Sequence, residues 1–340
     1  MKLRKSLISS LFGVVLLGLI FGQNGCGERI IPHGSENLLV VNFQEGKTLR
    51  YQMKSVREVT IELSSAKSGG KQAQPQKMTE SLEMVMAYKP VKVDPFGLTR
   101  LECVCESAVV TRGQFTGKGG VAVDAVENLK GKPFVLELSA TGKIQDFKQL
   151  EALLLEVGKT AFDTTRKDQK VKNPDMIYDF VAMQWYLWDS IASVKNPLAG
   201  VKPGMTWMNT QVVAWPIPIP NTPCRITTFT LDSVQQGEDT SKAIIKSTYQ
   251  ISDKTLDTFP KPYEGNFQMR GLFGFLRDYQ FKSLEGTGEV AFNLSTGTVE
   301  SDKQQYKLIA TAAFLLPLGD SQPSVVVDQT VDIQLLKDKP

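Results

Sequence analysis

Few residues in this chain could carry chemistry. His33 is the single histidine among 340 residues, so a serine–histidine–aspartate relay, a cysteine–histidine pair or a multi-histidine metal site would have to be built around it. Its neighbours Pro32, Gly34 and Ser35 read as a short tether, a poor platform for catalysis. The sequence holds no phosphate loop, dinucleotide fingerprint, zinc-protease helix or nucleophile elbow. Ser64-Ser65-Ala66-Lys67 satisfies the Ser-x-x-Lys pattern of acyl-serine enzymes. That chemistry needs a helix to bring the lysine beneath the serine, whereas Ser64 to Lys77 reads as a polar hairpin loop with Gly69 and Gly70. Carboxylates are plentiful, yet spacing alone selects no pair from 36 for glycoside hydrolysis. A protein without enzymatic activity or cofactor is expected, with a cryptic hydrolase as the catalytic alternative.

Cysteine offers more. Cys103 and Cys105 stand two apart on an expected strand, hence on one face, and Cys224 lies far along the chain. In an oxidising compartment one of the pair could form a disulfide with Cys224; the other reading is three buried free thiols acting as small hydrophobes. With His33 they have metal-binding donor types but not metal-binding spacing, and no metal is expected. Cys26 is different, because Lys2, Arg4 and Lys5 followed by the uncharged run Leu7 to Phe21 have the grammar of a signal peptide. That run falls short of the roughly 20 residues that span a bilayer. With Gly25 before it, Cys26 is placed for lipoprotein cleavage and acylation. Gln23 and Asn24 depart from the aliphatic-then-small pattern of such a site, and a competing cut lies after Gly22. The expected location is the cell envelope, either periplasmic or anchored to a membrane as a lipoprotein. Residues 1–25 carry three basic residues and no acid, which leaves 36 of each sign in the rest of the chain. That balance excludes nucleic acid as an electrostatic partner.

The remaining candidates are apolar. In Trp215-Pro216-Ile217-Pro218-Ile219-Pro220 every second residue lacks an amide proton, so the segment is an edge strand or an extended polyproline run with Trp215, Ile217 and Ile219 together. It reads either as a lip over an apolar cavity or as protection for a sheet edge. Phe259, Tyr263, Phe267, Phe273, Phe275 and Tyr279 interleave with Lys261, Arg270 and Arg277, as a loop touching an apolar ligand or lipid headgroups would, or a loop folded back on the core. Trp185 and Trp188 sit on a helix that is apolar on more than one face. The candidate ligand-binding set is therefore Trp185, Trp188, Trp215, Ile217, Phe273 and Phe275.

The elements that must position these residues follow from periodicity. Residues 1–25 are the signal peptide and 26–37 the tether. Residues 38–146 alternate as antiparallel strands, for example at Leu82, Met84 and Met86. Residues 147–196 are helical. Asp146 can cap a helix bearing Leu150, Leu153, Leu154 and Val157. Asn173-Pro174-Asp175 marks the start of a second helix that Asn196-Pro197 ends. From 197 to 340 strands return. Gly46-Lys47-Thr48 and Gly204-Met205-Thr206 open the two β regions, and turns at Gly142 and Gly297 come late in each, which suggests two related halves. The predicted fold is α+β, predominantly antiparallel β, with two similar curved halves and the helical insert between them. The second helix should lie on the concave face and cover a ligand cavity.

Asn42 to Tyr51, and Pro197-Leu198 followed by Val201-Lys202-Pro203-Gly204-Met205-Thr206-Trp207, resemble an uncharacterised family of bacterial lipoproteins and secreted proteins. Its members open with a glycine-led aromatic strand and carry a central proline-leucine, then a valine-lysine-x-glycine-x-x-tryptophan segment. The resemblance implies architecture and envelope location, and no chemistry. A non-enzymatic envelope protein that binds an apolar ligand or another envelope component is the leading expectation. An interaction module on the membrane surface, with no ligand cavity, is the alternative.

Overall fold

The computed structural model describes residues 37–62, 74–113, 123–163, 170–219, 222–237, 240–256, 259–315 and 322–337. Cys26, His33 and the Ser64–Lys67 motif lie outside them. Thirteen strands run in chain order: β1 Leu49–Glu62, β2 Gln76–Val93, β3 Thr99–Arg112, β4 Pro133–Leu138, β5 Ile144–Asp146, β6 Val171–Lys172, β7 Thr206–Val212, β8 Cys224–Gln236, β9 Ser241–Ser252, β10 Gln268–Met269, β11 Leu276–Asn293, β12 Thr298–Phe314 and β13 Ser324–Leu335. Two α-helices intervene, α1 Lys148–Lys159 and α2 Ile177–Ala192.

Eleven of the strands form one antiparallel sheet in the order β5-β4-β3-β2-β1-β13-β12-β11-β9-β8-β7, while β6 and β10 form a separate parallel pair. The two β regions are thus not separate bodies. Each contributes five strands in hairpin succession, and β13 joins them by pairing with both β1 and β12. Alternation decides the faces: Tyr51, Met53, Val59 and Ile61 of β1 are buried, as are Leu82, Met84 and Met86 of β2.

The sheet wraps around α2. Tyr88 of β2 donates to Gln184, Arg57 of β1 pairs with Asp179, Tyr186 donates to the Val212 carbonyl and Trp207 of β7 to the Ser190 carbonyl. One helix can meet strands from both ends of a sheet only if the sheet is strongly curved. Because α2 is enclosed it needs no polar face, and 13 of its 16 residues are buried. It begins three residues later than the Asn173-Pro174-Asp175 signal suggests. The Pro174 and Asp175 carbonyls accept from Arg112 and Arg57 instead, at 3.2 and 3.0 Å. Asp146 is not the cap of α1, a position that Phe147 holds; it stands one residue earlier and accepts from the Lys148 amide at 2.9 Å.

The half-barrel has two ends. The base gathers the turns after β2, β4 and β11 and the start of β7, and residues 37–48 run across it as a strap. Asn37 is bonded to Val201 in both directions, the Asn42 amide donates to the Gly297 carbonyl and the Gly46 amide to Pro90. Leu39, Val41 and Phe43 of the strap close the larger core from below. The opposite end, here the top, carries a second hydrophobic cluster beneath the Val213–Ile217 segment.

Candidate functional site

The top is built by segments that cannot join the sheet. After β7 the chain leaves the ladder at Val213, because Pro216 and Pro218 have no amide to donate. It crosses the concave side with Trp215 and Ile217 buried on the second cluster. It is not the edge strand that the prolines also allowed. Opposite it, Gln268 to Leu276 folds down through β10 and a short turn in which Gly274 lies against Met269. A Cβ at Gly274 would stand 2.2 Å from the Met269 carbonyl oxygen, so only glycine fits. Asp278 holds a left-handed conformation, φ 52°, where the β11–β12 register slips. At this bulge Tyr279 packs edge-on against Trp215, with centroids 5.6 Å apart.

Between the proline segment and the loop lies an open cleft of about 730 Å³. Ile217, Ile219, Phe267, Phe273, Leu276 and Tyr279 supply its apolar walls, Tyr178 of α2 reaches it, and Lys261 and Arg277 stand at its edge. The Tyr279 hydroxyl is buried and has no hydrogen-bond partner. The arrangement offers an apolar body a wall on each side, with the Lys261 cation and the exposed Arg277–Asp278 ion pair at the mouth.

Of the six candidate ligand residues, Ile217 and Phe273 line this cleft, and Trp215 supports it from behind through Tyr279. The other three are elsewhere. Trp188 is buried at the base against Phe43 and Tyr88. Trp185 packs between Phe147 and Phe259, and Phe275 is largely exposed outside the cleft. Helical spacing placed both tryptophans on apolar faces but did not show what they would meet, and of the two Trp188 is buried and Trp185 half-buried. The cavity expected between helix and sheet is also displaced. Where Tyr186 of α2 faces Arg225, the enclosed space is too tight for water, and the opening lies beyond the helix N-terminus. Ile219 was legible beside Ile217 in the proline run, whereas Met269 and Leu276 went unrecognised because no periodicity links their segment to that run.

A belt of buried polar groups separates the two apolar clusters. Arg57 bonds Glu80 at 2.8 Å and Asp179 at 2.6 Å, with all three side chains inaccessible. Ser55 and Gln329 also donate to Asp179. Burial alone would raise Glu80, but Arg57 and Arg112 outweigh it and hold the carboxyl below its usual range. For Asp179 burial prevails and the carboxyl goes up. Farther round, Arg225 bonds Gln211 at 2.9 Å and Gln304, and lies over Tyr249, Tyr186 and Tyr306 at 3.9, 4.6 and 5.1 Å from their ring centres. Burial pushes Asp302, which accepts from Gln304, up to about 7.

A second cleft, of about 260 Å³, is lined by Asp124, Asp163, Asp175, Arg112 and Arg270. Burial and the neighbouring Asp175 raise Asp124. Paired carboxylates are the raw material of a hydrolase, yet these are occupied. Asp124 accepts from the Val126 amide and Arg112, Asp175 from Lys172, Tyr263 and the Ile177 amide, and Asp163 from Arg270. Among the described residues no group of three or more histidine, cysteine or acidic side chains is placed to hold a metal. The disulfide expectation is corrected: Cys103, Cys105 and Cys224 are all free and buried, with six strands between β3 and β8 in sheet order. Burial raises all three thiols, Cys105 to about 11, so they are poor nucleophiles.

No family model and no curated protein matches this chain. Among solved structures it is similar to lipovitellin, in a structure described by its lipid-protein interactions, at a TM-score of 0.41 and 12% identity. The match covers 87% of this chain and 26% of lipovitellin's, so this chain spans about a quarter of that length. A second match, to the CymD monoaromatic hydrocarbon channel, has a TM-score of 0.14 and 9% identity over 86% of this chain and 89% of the other. At these scores neither likeness bears on what this chain binds.

Proposed function

We propose that this protein is a non-enzymatic component of the cell envelope that holds an apolar ligand at the top of its half-barrel. One observation carries the reading: the open cleft between two segments excluded from the sheet, walled by Ile217, Ile219, Phe273 and Leu276. The filled carboxylates of the second cleft support absence of hydrolysis. The basic start, the apolar run and Cys26 support export and a lipid anchor, as does the family resemblance around Val201 to Trp207. No helix among the described residues is long and apolar enough to cross a membrane. In the same reading the two five-strand runs are copies of one unit, since Gly142 and Gly297, both at positive φ, turn between the fourth and fifth strand of their runs; superposition of the runs tests this.

Native mass spectrometry of the purified protein, before and after organic extraction, tests the ligand. An apolar mass should co-purify, or a fluorescent fatty-acid probe should bind the extracted protein, and Ile217→Asp should abolish either at a temperature where circular dichroism shows the variant, though destabilised, still folded. A protein with no bound mass and no probe uptake, or one whose uptake ignores Ile217→Asp, would not be a carrier at this cleft.

A further inference from the structure

The base of the half-barrel presents what a folded protein usually hides. Phe96 is 88% exposed at the β2–β3 turn and Leu198 is 83% exposed beside the start of β7. Neither is on a loose loop. The Asp94 carboxylate accepts from the Phe96 and Leu98 amides at 2.9 and 2.7 Å, and the Asp94 amide donates to Leu98 at 2.9 Å. Gly97 lies so close to Ala140 of the next turn that a Cβ there would stand 2.7 Å from it. Leu198 sits in a turn closed by Ala199 to Asn196 and Gly200 to Pro197 hydrogen bonds, three residues before the bridge from Val201 to Asn37. A single exposed apolar residue is ordinary, but two large ones held out by ordered turns at one end can serve as insertion points for a contact surface.

The charge around these tips leans positive. Lys47, Lys92, Lys143 and Lys195 are exposed on the same end, and none has an ion-pair partner among the described residues. Of the acids between them Glu300 is paired with Lys242, while Asp94 and Glu45 keep their charge and accept from backbone amides, Glu45 from Val93 at 2.7 Å, which leaves lysine in excess. The place where the described residues begin adds a third, independent observation. The described chain enters at this end, at Asn37, eleven residues after Cys26, and a tether of that length reaches at most about 40 Å when fully extended.

We propose that this base is a membrane-docking face, with Phe96 and Leu198 entering the headgroup region and the lysines meeting anionic lipid. It does not depend on what the top cleft holds. Apolar tips backed by lysines are complementary to a bilayer surface, where insertion and electrostatic attraction act together. A docked base would leave the cleft at the far end of the barrel, open away from the membrane.

Co-sedimentation of the Cys26→Ala protein with vesicles tests this, because no acyl chain then contributes. Phosphatidylglycerol vesicles should bind it at least about tenfold better than pure phosphatidylcholine vesicles, and salt should weaken the binding. The double variant Phe96→Ser, Leu198→Ser should lose about tenfold or more, with an unchanged thermal transition and unchanged probe uptake at the top cleft. Lys47→Gln with Lys195→Gln should weaken binding to the anionic vesicles alone. Failure of the parent protein to bind phosphatidylglycerol, or equal binding by the Phe96/Leu198 variant, would overturn the proposal. So would self-association in sedimentation that the same variant abolishes, which would assign the face to a second copy. Loss of probe uptake with vesicle binding intact would count against the cleft and leave the docking face standing.

Discussion

The two ends of the half-barrel are closed in different ways. At the base the strap 37–48 bonds through its backbone at three separate points, Val201, Gly297 and Pro90 of β2, and drives Leu39, Val41 and Phe43 into the core that holds α2. At the top the Val213–Ile219 segment has only the Val213 amide donating to the Pro223 carbonyl among recorded backbone bonds, and its prolines remove further donors. Its hold is Trp215 and Ile217 resting on a smaller cluster. The difference teaches that the strap at one end is fastened by paired peptide groups and the proline segment at the other mainly by side-chain contact. A lid that must admit a ligand needs the second kind, because local opening is easiest where few backbone bonds must break.

The belt between the ends offers the strongest way to break that contrast. Arg57→Ala would leave Glu80 and Asp179 buried without their cation, at a cost of about 3–5 kcal/mol. Both ends should then be lost in one transition, seen as a large fall in the urea midpoint. Next in size is a matched pair of truncations. Phe43→Ala at the base should cost about 3–5 kcal/mol, as in a packed core that cannot collapse, whereas Ile217→Ala, beside an open cleft, should cost about 2 kcal/mol. Equal losses in denaturant titrations would remove the distinction.

The smallest expected effect is on pH dependence. Asp302 goes from 3.8 to about 7 on burial, so the folded state holds a proton that the unfolded chain has released. Stability from this group is complete below about pH 4 and is lost as pH rises through about 7. The share of the decline due to Asp302 should amount to about 1–2 kcal/mol between about pH 5.5 and 7; Asp302→Asn should remove that share and leave the part due to Asp189, which burial raises to about 6. A melting temperature in Asp302→Asn that follows pH just as the parent's does would show that Asp302 is ionised when folded.

Much of the architecture was legible. Leu82, Met84 and Met86 alternate, and they face inward; Cys103 and Cys105 share a face, as their spacing required. The apolar surround of α2 announced a helix enclosed on more than one side. The belt was not legible, because Ser55, Arg57, Glu80 and Gln329 look like solvent residues until the partner strand fixes which face is buried. Nor was the cleft, whose walls come from Tyr178, Ile217 to Ile219 and Phe267 to Tyr279, brought together only when the sheet curves. The proline run carried a usable sign, since residues unable to join a ladder had to go somewhere. Trp188 misled because a buried tryptophan looks the same in sequence whether it faces a ligand or Phe43.

The pairing of β13 with both β1 and β12 has a consequence for how the chain is made. The middle strand of the sheet is the last to be synthesised, so before it arrives the chain can form at most two five-strand sheets, β5 to β1 and β12 to β7. Each would show one long unpaired edge, β1 in the first and β12 in the second, which is the kind of surface on which chains aggregate. Contacts between residues near 50 and near 335 also make for slow folding. The nascent chain must therefore be kept from pairing with its neighbours until its final strand is free to close the sheet.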